Sequence, residues 1–149
     1  MAEGSPARGI VSIAGYVPWW RLQRAAIGSA HGGAAGKGTR SVASYDEDTT
    51  SMAVEAGRLA LGPLGAEGRA EIGRLLFAST SPSYTDKTNA TTIHAALRLD
   101  RSAPAFDLNG AVRSAAGALQ LALDGLGTTL VALSDARTGL PNSPDERDG

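Results

Sequence analysis

Few side chains in this sequence can do nucleophilic or acid–base work. Cysteine is absent from all 149 residues, which excludes disulfides, cysteine-ligated metal and a thiol nucleophile. There are two histidines. His94 lies between Ile93 and Ala95 in a helical pattern and reads as a helix-surface or partly buried residue. His31 falls in a glycine-rich stretch with no nameable partner. Arg113 and Arg137 lie near the ends of apolar runs, where a guanidinium can meet a carboxylate or phosphate. The glycine-rich segments lack the strand–glycine–helix spacing of a phosphate loop or dinucleotide fingerprint. Trp19-Trp20 reads as packing for a core or an interface.

The formal net charge of -1 leaves no basic excess, so nucleic acid is not an expected partner. The opening residues MAEGSPARG are small and polar, and no run approaches a membrane span. A soluble cytoplasmic protein is the expectation.

The elements that must position these residues alternate. Gly9–Tyr16 (GIVSIAGY) reads as an apolar strand ended by Pro18, and the stretch Gly28–Gly38 as a mobile loop. Tyr45–Thr50 carries acids at a helix start, with Asp48 or Thr49 as cap. Met52, Leu59 and Leu61, with Ala53, Val54, Ala56 and Ala60, form the apolar face of that helix, which Gly62-Pro63 stops. Strands are expected at 73–80, 103–108 and 128–134, and helices at 88–97 and 112–126. The order predicts an α/β domain with a mostly parallel sheet and helices on both faces. Residues 1–8 and 139–149 read as polar tails around a body at 9–138. Sites in such sheets form at the carboxyl ends of strands, here Ser79-Thr80-Ser81, Asp107-Leu108-Asn109-Gly110 and Ser134-Asp135-Ala136-Arg137.

These segments, in this order, resemble the first half of thiolase-fold condensing enzymes. The likeness is to hydroxymethylglutaryl-CoA synthases above all, and also to ketoacyl synthase III. It runs from Gly9 to about Leu140. It is carried by GIVSIAGYVP, Gly38-Thr39-Arg40, Glu47–Ala53, Phe77–Pro82, Asn89–Leu97, Ala105–Ala111 and Leu130–Asp135. The segments Asp46-Glu47-Asp48 and Asp86-Lys87-Thr88-Asn89 favour the hydroxymethylglutaryl-CoA synthase branch.

The resemblance implies a carbon–carbon-forming acyltransferase of isoprenoid or lipid metabolism, acting on acetyl-CoA or another acyl-CoA. It implies a cysteine nucleophile at the start of the helix after the third strand, where the helix N-terminus activates a thiol and backbone N–H groups hold an oxyanion. Val112 occupies that position, in Gly110-Ala111-Val112-Arg113-Ser114. The nearest substitute is Ser114, which also reads as a small residue in a packed helix. The family's general-acid glutamate follows the second strand, but Thr80-Ser81-Pro82-Ser83-Tyr84 holds no carboxylate. Asp86 is the nearest, and also reads as a solvated loop acid. The family's catalytic histidine and asparagine belong to a second half outside these residues, so this chain alone is not expected to be active.

CoA phosphates need cations. Lys37 and Arg40 are the candidates at the mouth of the site, with Arg113 and Arg137 nearer the strand ends. No metal and no covalently bound cofactor are expected. The small-residue helix 112–126 would meet its counterpart from the second half or another subunit, giving a homo- or hetero-oligomer. The chain looks truncated before the family's edge strand. A noncatalytic CoA-binding or scaffolding subunit, paired with another acyltransferase, and a nonfunctional gene fragment are the alternatives to a condensing enzyme.

Overall fold

The computed structural model describes residues 8–32 and 36–137. Its elements are β1 (Trp20–Gln23), α1 (Arg24–His31), β2 (Thr39–Val42), α2 (Thr49–Leu61), a 3-10 turn (Gly62–Leu64), α3 (Gly65–Ala70), β3 (Ile72–Ser79), α4 (Asn89–Ala96), β4 (Ala105–Asn109), α5 (Arg113–Asp124) and β5 (Thr128–Leu133). No helix among the described residues is long and apolar enough to cross a membrane.

The β3 run is apolar on both faces because helices cover both. It is the centre of a parallel sheet of order β4-β3-β5. Leu75 and Phe77 point into the main core, with Ala53 and Leu61 of α2, Ile93 of α4 and Leu130 of β5. Leu76 and Ala78 point the other way, against Ala118 of α5. This is the predicted α/β layering.

Helix α2 starts where its sequence says it should. The Asp48 carboxylate accepts from the Ser51 N–H at 2.7 Å, and the Ser51 hydroxyl accepts from the Asp48 N–H at 2.8 Å, a reciprocal cap. The helix ends at Leu61, ahead of Pro63. Its inner face is Met52, Ala53, Gly57 and Leu61. Leu59, expected on that face, is exposed, since two residues from Leu61 it lies roughly half a turn away. A Cβ on Gly57 would come within 2.9 Å of Leu97 Cδ1, so the glycine lets the end of α4 settle directly on α2.

Three expectations change. Gly9–Tyr16 is not a sheet strand: it forms no ladder, and Ile10, Val11 and Ile13 are exposed. It is tied instead to α2, by the Ser12 hydroxyl donating to Ala60 O at 2.7 Å, and to the turn ahead of α2, by the Tyr16 hydroxyl donating to Glu47. Apolar content made it strand-like, but no described backbone lies alongside to pair with it. Trp19 and Trp20 pack no core; both are exposed, on or beside an antiparallel ribbon pairing Trp20 with Val42 through Gln23 with Thr39. Gly28–His31 belongs to α1 rather than to a loop. Residues 33–35 of that glycine stretch and the tail from 138 lie outside the described residues.

Candidate functional site

The parallel strands bring their carboxyl ends to one edge of the sheet, where α/β sheets place ligands. At the end of β4, Gly110 has φ +104°, a conformation that favours glycine, and its N–H donates to Ser79 O at 3.0 Å. The chain turns there into α5. Val112 is the N-cap residue of that helix and is 71% exposed. No side chain caps α5, and its first turn holds no acid. The Ser114 and Ala115 N–H groups donate to Ala111 O at 2.9 Å and Val112 O at 3.3 Å, and the head of the helix carries the positive end of its dipole, so the place suits developing negative charge, although a valine side chain can supply none. Ser114 lies one residue into the helix and is half-buried.

The end of β5 is fastened to the end of β3 by Asp135. One carboxylate oxygen accepts from the Thr80 N–H at 2.6 Å, the Thr80 hydroxyl at 2.9 Å and the Ser79 hydroxyl at 3.2 Å. The Ser81 hydroxyl accepts from the Ala136 N–H at 3.1 Å. Partial burial pushes the Asp135 carboxyl up. The hydrogen bonds from Thr80, Ser79 and Ser81 outweigh it and hold the group below its usual 3.8. At Asp48, likewise, desolvation raises the pKa, and the bonds from Ser51, Ser83 and Thr50 bring it below the usual value.

Both folded-state values lie below those of the unfolded chain, so both carboxylates stabilise the fold at neutral pH. That contribution is lost as pH falls below 4 and through the folded values. Acid titration followed by circular dichroism should therefore show unfolding that is shallower in Asp135→Asn, whose side chain no longer binds a proton. Identical acid profiles for the two proteins would count against the assignment.

Beneath the Gly110 turn lies a second polar knot. Asp107 accepts from the N–H groups of Asn89 at 2.9 Å and Ala90 at 2.7 Å, and from Asn89 Nδ2 at 3.0 Å. A carboxylate at the head of α4 meets the free N–H groups there. Asn89 is fully buried. Its amide also accepts from the Tyr84 N–H at 3.0 Å and the Thr50 hydroxyl at 3.2 Å, and donates to Tyr84 O at 2.9 Å. Thr49 meets Ser81 O at 3.0 Å and the Ser83 hydroxyl at 2.9 Å. Hydroxyl and amide bonds thus fix residues 80–84, the stretch in which the resemblance seeks a glutamate.

Asp86 follows on an exposed turn, next to Lys87, whose ammonium lies 3.6 Å from the Tyr84 ring centroid. Among the candidate cations, Arg40 is buried and its Nη2 donates to Arg137 O at 2.6 Å, which brings these two residues together across 97 positions of chain. Lys37 and Arg113 are exposed. His94 is half-buried, with Nε2 2.9 Å from Asp100 O. Among the described residues no three His, Cys, Asp or Glu side chains gather to hold a metal ion.

Sequence reasoning named the strand ends but missed the roles of Asp135, Asp107 and Asn89. The available signal was an acid or amide at a strand terminus or at the first position of a helix, where unpaired backbone N–H groups collect.

No family model matches the chain. The hydroxymethylglutaryl-CoA synthase of Methanocella arvoryzae is 31% identical over 145 residues, covering 89% of this chain and 41% of that protein. A solved HMG-CoA synthase complexed with CoA matches the fold with a TM-score of 0.80 at 24% identity, covering 93% of this chain and 38% of the other. A 3-oxoacyl-(acyl-carrier-protein) synthase III matches with a TM-score of 0.73 at 23% identity, over 87% of this chain and 42% of the other. In sequence the chain is a relative of the hydroxymethylglutaryl-CoA synthases, and in fold it carries part of a thiolase fold, over about two fifths of the relatives' length.

Proposed function

We propose that this chain forms the nucleophile-turn part of a hydroxymethylglutaryl-CoA synthase-like acyl-CoA site, and holds the thioester without accepting its acyl group. The observation behind this reading is Val112, exposed at the uncapped head of α5 directly after the Gly110 turn. A thiolate there would attack a thioester carbonyl; a valine side chain has no lone pair to do so. Thr80–Tyr84 adds no acid, and Asp86 and Ser114 are the substitutes within reach by sequence. What survives the loss of covalent chemistry is binding.

Lys37, Arg113 and Arg137, all exposed, supply cations for the CoA phosphates, and buried Arg40 holds the Arg137 backbone. The fold shared with a solved HMG-CoA synthase that binds CoA supports this choice of ligand. Acetyl-CoA should raise the melting temperature, since a ligand at a hundred times its Kd stabilises by about 2.7 kcal/mol. Lys37→Ala and Arg113→Ala should weaken the effect. Mass spectrometry after incubation should find no acetyl group on the chain. A melting temperature unmoved by saturating acetyl-CoA would rule this reading out.

A scaffolding role has its own observation. Only Ala118 of α5 is buried, while Leu119, Leu121 and Leu123, with Leu126 beyond the helix end, are exposed. So many leucines on one exposed element suit contact with another subunit, in a homo- or hetero-oligomer.

A further inference from the structure

We infer that the β1–β2 ribbon, led by Trp19 and Trp20, is a seat for an anionic lipid surface, on which the chain rests without crossing it.

The two indoles are 84% and 61% exposed, although an indole is a large apolar body with a single polar N–H. Val17, Leu22 and Val42 are exposed near them. The ladder register explains the grouping. Trp20 stands opposite Val42, and Leu22, two residues on, lies on the same face. Arg40, opposite Leu22, is buried and bonded to Arg137 O. That closes the face at one end and leaves the Trp20 end open. β1 and β2 pair with each other alone among the described strands, so the main sheet does not extend across the ribbon.

Cations accompany the indoles along the chain, and acids do not. Residues 17–45 hold Arg21, Arg24, Lys37 and Arg40, whereas all 15 acids of the sequence lie outside them. A basic segment is thus set apart within a chain of net charge -1. Arg21 Nη1 donates to the carbonyls of Pro18, Trp19 and Trp20. Its guanidinium is thereby held at the indole backbone, bonded to neutral groups that leave its charge in place. Arg24 is half-buried, and its Nε has no hydrogen-bond partner. Among the described residues the one ion pair, Arg58 with Glu55, lies elsewhere.

This composition chooses the partner. Indoles settle at the head-group level of a bilayer, where guanidinium and ammonium groups meet lipid phosphates. A bilayer accepts a projecting aromatic pair without a matching pocket, and cations free of nearby acids select an anionic one. The exposed residues Ala25, Ala26, Ser29 and Ala30 of α1 are small, so the contact is shallow. No described helix is long and apolar enough to span, which a surface contact does not require.

The test mixes the 149-residue chain with vesicles of phosphatidylglycerol and phosphatidylcholine in equal parts, or of phosphatidylcholine alone. Trp19 and Trp20 are the only tryptophans, so indole emission reports on this face by itself. The expected result is a blue shift with the mixed vesicles, quenched when their acyl chains carry bromine, and little shift with phosphatidylcholine. Arg21→Ala should weaken sedimentation with the mixed vesicles about fivefold, the worth of one cation near an anionic surface. The double variant Trp19→Ala, Trp20→Ala should weaken it by at least about tenfold. Both sites are exposed, and an unchanged circular dichroism spectrum confirms that each variant is folded. Four results would overturn the inference. They are emission unmoved by the mixed vesicles, an equal shift with phosphatidylcholine alone, full sedimentation of the double variant, and a blue shift that grows with chain concentration in the absence of lipid. The third would seat the membrane elsewhere, and the fourth would make a second copy the occupant. No readout uses CoA, so failure of acetyl-CoA binding and failure of lipid binding remain distinguishable.

Discussion

Val112→Cys gives a thiol that iodoacetamide alkylates about threefold faster at pH 7 than the thiol of Leu126→Cys, the expected consequence of roughly one unit of pKa depression, which raises the thiolate fraction about eightfold and lowers the thiolate's intrinsic nucleophilicity. The native chain has no cysteine, so each variant reports on one thiol only. Both positions are exposed, which removes access as an explanation. They differ in electrostatics. Position 112 heads a helix of 12 residues with no capping side chain, no acid in the first turn, and Arg113 next in sequence; position 126 lies beyond the other end, where the dipole is negative. A rate rising with pH about a midpoint below the ordinary thiol value near 8.5 is the direct measurement. Equal rates and equal midpoints would mean that the turn does not activate a nucleophile, and the reading of Val112 as occupying a reactive position would fall with it.

Asn89→Ala lowers stability by about 3 kcal/mol, against a total of about 5–15 kcal/mol for a domain of this size. The amide is fully buried and joins four elements of the site: Asp107 in β4, Tyr84 in the loop after β3, Thr50 in α2, and α4, which it begins. Truncation leaves both the N–H and the C=O of Tyr84 without the amide they bond to, and removes a donor from Asp107. Each buried polar group stranded in this way costs about 1–3 kcal/mol. Urea denaturation should show a lower midpoint with an unchanged slope. Asn109→Ala is the control: its side chain is exposed and makes one 3.3 Å bond to Asp107, so a change within about 0.5 kcal/mol is expected. A loss below 1 kcal/mol in Asn89→Ala would show that water or loop movement replaces the amide.

Much of the fold was legible because its signals are local. The cap at Asp48 and the stop at Gly62-Pro63 bound α2 within a few residues. The apolar run around Leu75–Ala78 specifies a strand covered on both faces, and Gly110 marks the turn that leads to Val112. That the chain holds no cysteine is also a pure sequence fact, since no arrangement of it can supply one.

The tertiary structure decided which backbone meets which. Gly9–Tyr16 has strand composition, yet composition cannot provide the neighbour that a ladder requires, and the run lies against α2 by one hydroxyl and one phenol instead. The β1–β2 ribbon, which leaves Trp20 exposed, and the meeting of Arg40 with Arg137 are equally long-range. So are the knots around Asp135 and Asn89, whose partners lie 55 and 18 residues away. Local propensity acts through a residue's own dihedrals and near neighbours, whereas pairing and burial depend on segments that approach only once the sheet has formed. By itself, the sequence determined an α/β chain that resembles condensing enzymes and contains no cysteine; only the folded chain showed that an exposed Val112 stands at an uncapped helix head, and that β5 pairs with β3 alone among the described strands.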